Sequence, residues 1–231
     1  MKLLKRILRG IVVAFFASTI LSVVALRFIP VVFTPLMFIR CYQQVKEGRE
    51  LLLSHRWVSL DRMSEYMPVA VIASEDANFM KHHGFDFKAI EHAAKRNMTH
   101  PEKRKLGAST ISQQTAKNVF LWPGRSWLRK GLEVYFTALI ELMWSKERIM
   151  EVYLNSIETG EGVYGVEAIA NENWGLHAEQ LSKSQCALIA VTLPNPRKFS
   201  SKHPSAYVQK RQKRILHEMN YVKKFGAETG K

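Results

Sequence analysis

The chain has 231 residues and a formal net charge of +14, which is enough for one globular domain of ordinary size and a short appendage. Hydrophobic residues make up 47% and charged residues 23%, so most of the chain should fold around a core. The excess of positive charge predicts an anionic partner, whether nucleic acid, phosphate or acidic lipid. Its two cysteines, Cys41 and Cys186, exclude a disulfide scaffold and a cysteine-rich zinc site. We expect both to be free thiols.

The N-terminus predicts a membrane anchor. Four cations lie in the basic segment 1–9, and apolar residues dominate 10–39 with an interruption at Arg27. The first apolar stretch, 11–26, reaches about 24 Å as a helix, and extension through Ile29 makes it long enough for a bilayer core of roughly 30 Å. We therefore predict a transmembrane helix followed by a membrane-proximal apolar segment.

A cleaved secretory signal is the alternative for this segment, because Val23 and Ala25 loosely fit a cleavage site. The apolar character continues beyond that point, which favours an uncleaved anchor. With the basic residues upstream, the positive-inside rule places the N-terminus in the cytoplasm and the remaining chain outside it. A basic domain held there should meet lipid head groups and not nucleic acid. The basic C-terminal residues predicted to contact head groups are Lys210, Arg211, Lys213 and Arg214.

The soluble domain is predicted at 41–225, with a short tail at 226–231. Its apolar spacing is helical almost throughout, and strand signals are scarce. Breaks are expected at Pro101, at Pro123 and near Gly160. The sequence therefore predicts a mainly α domain, with helices over 65–80, 86–98, 109–121, 127–154, 163–173, 181–193 and 204–222.

Two adjacent acids, Glu75 and Asp76, follow an apolar run at 69–73. A carboxylate that an apolar segment delivers to a cleft is a candidate general base, since desolvation raises its proton affinity. A solvated helix start is the alternative. On a helix continuing to residue 80 and beyond, Glu75, Phe79 and His82 would share one side.

A polar helix start follows at 107–118. Thr110 and Gln113 fit a capping box, after which Thr110, Gln114 and Lys117 would share one face, with Asn118 adjoining. Hydroxyl, amide and ammonium groups at a helix N-terminus suit sugar hydroxyls and phosphate oxygens. An ordinary solvated face is the alternative.

Two arginines and a lysine lie within six residues, at Arg125, Arg129 and Lys130. Guanidinium groups bind phosphate oxygens bidentately, so this group suits a pyrophosphate. Arg129 and Glu133 could equally form a surface ion pair worth about 0.3–0.5 kcal/mol.

Together these motifs resemble one family, the peptidoglycan glycosyltransferases of bifunctional penicillin-binding proteins and of monofunctional enzymes. The similarity covers roughly 60–220. It rests on Glu-Asp-x-x-Phe-x-x-His-x-Gly at 75–84, Gly-x-Ser-Thr-Ile-x-Gln-Gln-x-x-Lys-Asn at 107–118, Arg-Lys-x-x-Glu at 129–133 and Tyr-Leu-Asn at 153–155. The resemblance implies a lysozyme-like, mainly helical domain behind one transmembrane helix. It also implies an enzyme that polymerises lipid II into β-1,4-linked glycan and releases undecaprenyl pyrophosphate.

By the same resemblance, Glu75 would deprotonate the acceptor 4-hydroxyl. Glu133 would assist departure of the pyrophosphate, directly or through a divalent cation such as Mg²⁺ or Mn²⁺, while no cofactor is certain. The substrate-binding residues would be Asp76, Phe79, His82, Ser109, Thr110, Gln113, Gln114, Lys117, Asn118, Arg125 and Arg129.

The implied partners are lipid II, the growing lipid-linked glycan, membrane phospholipids, and cell-division or elongation proteins, with no nucleic acid. The implied location is the bacterial inner membrane, with the catalytic domain on its periplasmic face. Neither Ser-x-x-Lys nor Lys-Thr-Gly occurs, which predicts a monofunctional enzyme without transpeptidase. Two alternatives remain: a lysozyme-like enzyme that cleaves glycan, and a catalytically inactive membrane scaffold.

Overall fold

The computed structural model describes residues 2–103, 105–124 and 126–226. Ten α-helices dominate this described part, as the sequence predicts, and one small sheet accompanies them. The helices are α1 (Lys2–Leu26), α2 (Pro35–Lys46), α3 (Tyr66–Glu75), α4 (Phe87–Thr99), α5 (Ile111–Phe120), α6 (Trp127–Met143), α7 (Lys146–Ser156), α8 (Val166–Trp174), α9 (Lys183–Thr192) and α10 (Ala206–Glu218). The strands are β1 (Ser54–His55), β2 (Glu158–Gly160) and β3 (Val163–Tyr164).

Helix α1 is long and apolar enough to cross a membrane; its 25 residues span about 37 Å. The helix includes the basic residues at the N-terminus and ends before Arg27. Its last turns lie against α6, where the Thr19 and Tyr135 hydroxyls are 2.8 Å apart. The Trp144 indole N–H donates to the Val23 carbonyl at 2.8 Å. The predicted anchor is thereby packed onto a helix of the domain.

The apolar segment after α1 does not continue the helix. Residues 27–34 form a turn and extended chain, and α2 begins at Pro35. Thr34 caps α2, since its side chain accepts from the Met37 backbone N–H, and proline suits a first helical position because it has no N–H to leave unpaired. Helix α2 runs across residues 39–41, where the sequence places the start of the soluble domain; that boundary stays a prediction.

The predicted helix at 65–80 is too long. Helix α3 ends at Glu75, and Asp76 adopts φ −159° and ψ 74°, so Glu75, Phe79 and His82 do not share a helix face. The cause is tertiary, because the Asp76 carboxylate accepts the Ile111 backbone N–H at 3.0 Å. The chain leaves the helix to make that contact.

The predicted helix at 127–154 is two helices. Trp144 is extended, with φ −109° and ψ 150°, and the Ser145 side chain caps α7 by accepting the Arg148 N–H. Ser and Thr at such positions start helices because they satisfy a free N–H. The break allows α7 to pack against α5, and Arg148 of α7 donates to the Leu26 carbonyl at the end of α1 at 2.8 Å.

The predicted helix at 163–173 begins three residues late, because Val163 and Tyr164 pair as β3 in the order β1-β3-β2. Gly165 separates strand from helix with φ +82°, and a Cβ there would lie 2.7 Å from the Asn155 carbonyl oxygen. Only glycine fits this turn. The sheet packs against α8.

Two groups of helices frame the functional region. Helices α3, α9 and α10 pack together, and α5 packs on both α6 and α7. Their contacts bury a continuous core that includes Met67, Ile111, Ile140 and Tyr153. The carboxyl end of α3 and the polar side of α5 meet between the two groups.

Candidate active site

Glu75 is the last residue of α3 and is half-buried. Its Oε2 accepts the Gln114 side-chain amide at 3.1 Å, and its Oε1 accepts the Ser74 hydroxyl at 3.2 Å. Burial raises the pKa of Glu75 above its ordinary value, against the opposing effects of these hydrogen bonds and of Arg211 and Lys117. A carboxylate with raised proton affinity in a cleft is suited to accept a proton.

The orientation of Gln114 is set by a buried tyrosine. The Tyr153 hydroxyl donates to the Gln114 side-chain oxygen at 3.3 Å, which leaves the amide nitrogen to donate to Glu75. Tyr153 is fully buried, and burial together with the charge of Glu75 raises its pKa well above the usual value. It therefore stays a neutral donor. Tyr153 on α7 thus positions Gln114 on α5, and Gln114 in turn holds Glu75.

Asp76, Phe79 and His82 form a frame behind Glu75. His82 Nε2 lies 2.9 Å from an Asp76 carboxylate oxygen, and Phe79 is fully buried. The Lys146 ammonium lies 4.5 Å from the centre of the Phe79 ring, a distance at which a cation is attracted to the ring face. These predicted site residues face the interior and fix the turn after α3.

The Asp76→Asn substitution tests this frame. We expect a loss of roughly 1–3 kcal/mol of stability, because a buried charged acceptor of two hydrogen bonds becomes a neutral amide. Thermal unfolding of the purified full chain in detergent measures it, with the exposed Asp61→Asn as the matched control. An unchanged melting temperature would contradict the assigned role.

The predicted capping box at the start of α5 is confirmed. The Thr110 side chain accepts from the Gln113 N–H at 3.1 Å, and the Gln113 side chain accepts from the Thr110 N–H at 3.0 Å. The Thr110 hydroxyl also donates to the Gly84 carbonyl at 2.7 Å. Thr110 and Gln113 are thus buried within the helix start, while Ser109 just before it is exposed.

Lys117 lies between two carboxylates. Burial lowers its pKa, while the charges of Glu133 and Glu75 act to raise it. Asn118 adjoins it on α5 and is buried. Lys117 therefore links the Glu75 region with the cations of α6.

Glu133 is buried on α6 and is not part of an exposed ion pair. It is 4% exposed, with Oε1 2.5 Å from the Lys130 ammonium and Oε2 3.8 Å from Arg129. The i, i+4 ion pair with Arg129 is therefore present, but it is largely buried and does not lie on the surface. Arg125, predicted to bind substrate, lies outside the described residues.

Two cavities meet along Lys117. The Glu75 cavity, of about 680 Å³, is lined by Ser74, Glu75, Arg96, Lys105, Leu106, Gly107, Ser109, Gln114, Lys117, Val191, Leu193, Pro194, Phe199, Tyr207 and Arg211. The Arg129 cavity, of about 340 Å³, is lined by Leu36, Arg40, Gln114, Lys117, Asn118, Leu121, Trp122, Pro123, Gly124, Arg129, Ile157, Glu158, Leu193, Pro194 and Pro196. Gln114 and Lys117 line both. The arrangement can hold two anionic ligands side by side, with a base next to one of them.

The described residues do not fit a resident divalent cation. None of their His, Cys, Asp and Glu side chains form a group of three that could hold a metal. Both oxygens of Glu133 already face cationic side chains, whereas Mg²⁺ and Mn²⁺ prefer oxygen ligands. A divalent cation held by Glu133 together with substrate phosphates stays a prediction.

The comparisons with known proteins identify the family of this chain. The family model described as "Transglycosylase" matches residues 44–220, most of the chain. The chain belongs to the transglycosylase family. The biosynthetic peptidoglycan transglycosylase of Bacteroides thetaiotaomicron is 60% identical over 224 residues, which cover 97% of this chain and 90% of the relative.

Two further relatives bear the same description. The biosynthetic peptidoglycan transglycosylase of Bdellovibrio bacteriovorus is 54% identical, over 90% of this chain and 82% of its own length. That of Caulobacter vibrioides is 48% identical, over 97% of this chain and 96% of its own length. The protein is thus a peptidoglycan glycosyltransferase, and its domain is lysozyme-like, as the motifs predict. This chain covers 82–96% of these relatives' own lengths, which agrees with the prediction of a monofunctional enzyme.

Several residues of this transglycosylase site escape sequence reasoning. Arg211 and Tyr207 line the Glu75 cavity from α10, although the sequence suggests only contact with head groups for Arg211. Their i, i+4 spacing is a signal that could have marked a shared face. Arg40 and Glu158 line the other cavity, and no local motif marks either of them. Cys41 and Cys186 are free, as predicted.

Proposed function

We propose that this enzyme polymerises lipid II, with Glu75 as general base and with Lys117 and Arg129 as the cations that receive the departing undecaprenyl pyrophosphate. The observation that carries the proposal is the meeting of the two cavities at Lys117. One contains a carboxylate of raised pKa, and the other contains paired cations. A transfer between two lipid-linked sugars needs both.

In the proposed reaction the acceptor sugar enters the Glu75 cavity. Glu75 takes the proton of the 4-hydroxyl, and the hydroxyl oxygen attacks the anomeric carbon of the donor. The bond between that carbon and the phosphate oxygen breaks, and the pyrophosphate leaves with the electron pair. Attack from the opposite side inverts the configuration to β-1,4. Preorganised cations stabilise the charge that develops on the leaving group.

Glu133 has an indirect part in this scheme. Its buried carboxylate lies beside Arg129 and Lys130 and raises the pKa of Lys117 against burial. It thereby favours the charged form of Lys117 and holds Arg129 in place. We assign to Asp76, Phe79, His82, Thr110 and Gln113 the positioning of the cleft, and to Ser109, Gln114 and Asn118 contacts with the sugars.

The membrane arrangement is part of the proposal. Helix α1 is compatible with a single-pass anchor, and the cations before its apolar part favour a cytoplasmic N-terminus. The catalytic domain then lies on the periplasmic face of the inner membrane, where the lipid-linked substrate, the growing chain and phospholipids are within reach. Contacts with cell-division or elongation proteins stay predictions.

Polymerisation of purified lipid II by the full chain in detergent tests this function. We expect long glycan and released undecaprenyl pyrophosphate. One molecule of undecaprenyl pyrophosphate should be released for each glycosidic bond formed. A glycan-cleaving enzyme would instead release soluble fragments from preformed glycan and no lipid pyrophosphate. That outcome, or the absence of any product, would contradict the proposal.

A further inference from the structure

Arg40 is a third cation of the Arg129 cavity and comes from the helix that follows the anchor. It lies on α2 one turn after Leu36, and both residues line the cavity with Lys117 and Arg129. Helix α2 packs on α5, which carries Lys117. The reaction described above leaves Arg40 without a role.

The guanidinium of Arg40 is only partly engaged. Its Nη1 donates to the Gln43 side-chain oxygen at 2.9 Å, whereas its Nη2 lies 3.5 Å from Glu158 Oε2, longer than an ordinary charged hydrogen bond. Its Nε is buried and has no hydrogen-bond partner among the described residues. Buried N–H groups are costly when unpaired, so a side-chain shift that brings this Nε to a ligand oxygen would be favourable.

Arg129, which also lines the cavity, is likewise only partly engaged. Its Nε is likewise buried without a partner in the described part of the chain, and its Nη1 lies 3.8 Å from Glu133. Two guanidinium groups with spare donors therefore line one cavity of about 340 Å³. An anion with several acceptor oxygens matches them, and a phosphate accepts such donors bidentately.

Glu158, which also lines the Arg129 cavity, is the ion-pair partner of Arg40. It lies on β2 and is 7% exposed, and its Oε1 has no partner among the described residues. Burial raises the pKa of Glu158, against the charges of Arg40 and Arg197. A buried carboxylate held at 3.5 Å from a guanidinium is a loose partner that a better acceptor can replace.

We propose that Arg40 is a further ligand of the donor's phosphate groups, and that it gives up its contact with Glu158 when a phosphate oxygen enters the Arg129 cavity. The inference deepens the proposed function and rests on it. On this proposal α2, the helix that follows the anchor, forms part of the wall of the substrate site. The anchor is then connected to the phosphate-binding site through α2. Glu158 acts against binding, since it competes for the same guanidinium.

The test uses the full chain in detergent and farnesyl pyrophosphate as the probe, titrated by calorimetry. Loss of a charge-assisted hydrogen bond in Arg40→Gln should raise the dissociation constant about 10- to 100-fold. Lys46→Gln removes an exposed cation of the same helix and should leave the affinity unchanged. Arg40→Lys keeps the charge but lacks the planar guanidinium, so its dissociation constant should lie between those of the wild type and Arg40→Gln. Farnesol as a second probe reports the lipid contacts alone and should bind all variants equally.

Glu158→Gln separates competition from a merely structural contact. It should tighten pyrophosphate binding several-fold in the wild-type background and have no effect in the Arg40→Gln background. If Arg40→Gln lowers only the melting temperature and leaves the affinity unchanged, Arg40 is a structural contact and the inference is wrong. The inference is also wrong if Glu158→Gln tightens binding equally in both backgrounds. The negative charge of Glu158 would then repel the anionic probe directly, without competing for Arg40.

Failure of the inference is distinguishable from failure of the proposed function. Lipid II polymerisation by the wild type tests the function, whereas pyrophosphate affinity tests Arg40 without any reaction. In the polymerisation assay, Arg40→Gln should raise KM for the lipid-linked donor more than it lowers kcat. Polymerisation with an unchanged KM would retain the function and overturn the role of Arg40.

Discussion

Glu75→Gln should lower the rate of glycan polymerisation by about 10²–10⁴-fold, the usual contribution of a general base. The amide keeps the size of the side chain and can still meet Gln114 and Ser74, but it cannot take the proton of the acceptor hydroxyl. Gel analysis of labelled lipid II products measures the effect. Glu91→Gln, which removes an exposed carboxylate paired with Lys95, is the matched control and should polymerise normally.

The same variant should not unfold the protein. Burial raises the pKa of Glu75 in the folded chain, so the folded state favours the protonated form. Stability is then lost as the pH rises through the unfolded and folded pKa values, and a neutral amide avoids that loss. We expect a melting temperature at pH 7 that equals or exceeds that of the wild type, and the difference should vanish well below the pKa of an unfolded glutamate, about 4.3. An active Glu75→Gln enzyme would overturn the assignment of the base.

The parts of the site that the sequence predicts are those determined by near neighbours in the chain. Thr110 and Gln113 cap α5 through contacts three residues apart, and the pattern of residue types is enough to specify them. The mainly helical fold and the apolar α1 follow from periodicity and length for the same reason. Local rules determine these features, so a single sequence reveals them.

The parts that escape prediction depend on distant contacts. Helix α3 ends at Glu75 because the Asp76 carboxylate accepts the backbone N–H of Ile111 on α5. No residue near position 76 indicates this contact. The long helix predicted at 127–154 breaks at Trp144, whose indole bonds to the anchor at Val23. A tertiary contact overrides the local helical preference at Asp76, whereas at Trp144 the tertiary contact acts together with the Ser145 cap of α7, which is a local signal.

The same distinction explains which site residues were missed. Arg211 reaches the Glu75 cavity only because α10 packs on α3 and α9. Arg40 and Glu158 face each other only because α2 and β2 meet at one cavity. Each of these residues has an unremarkable sequence neighbourhood, so its position becomes known only from the fold.

Lys117→Met should lower kcat by about 10²–10³-fold, the usual loss when one preorganised donor to a developing oxyanion is removed. Lys117 is the cation shared by the two cavities, so methionine leaves a wall of similar shape without charge beside the leaving group. Lys95→Met, which removes an exposed lysine, is the control and should be as active as the wild type. Lys117→Arg keeps the charge and should retain part of the activity.

The pH profile gives this prediction a second and independent readout. The charge of Lys117 lowers the pKa of Glu75, so its removal should raise that pKa further. Since Glu75 must be ionised to act as a base, the acidic limb of kcat/KM should move to higher pH in Lys117→Met and stay in place in Lys117→Arg. A loss of activity with an unshifted limb would mean that Lys117 acts on the leaving group without influencing the base. A shifted limb with normal kcat at high pH would mean the reverse, that its charge serves Glu75 and that Arg129 alone stabilises the departing pyrophosphate.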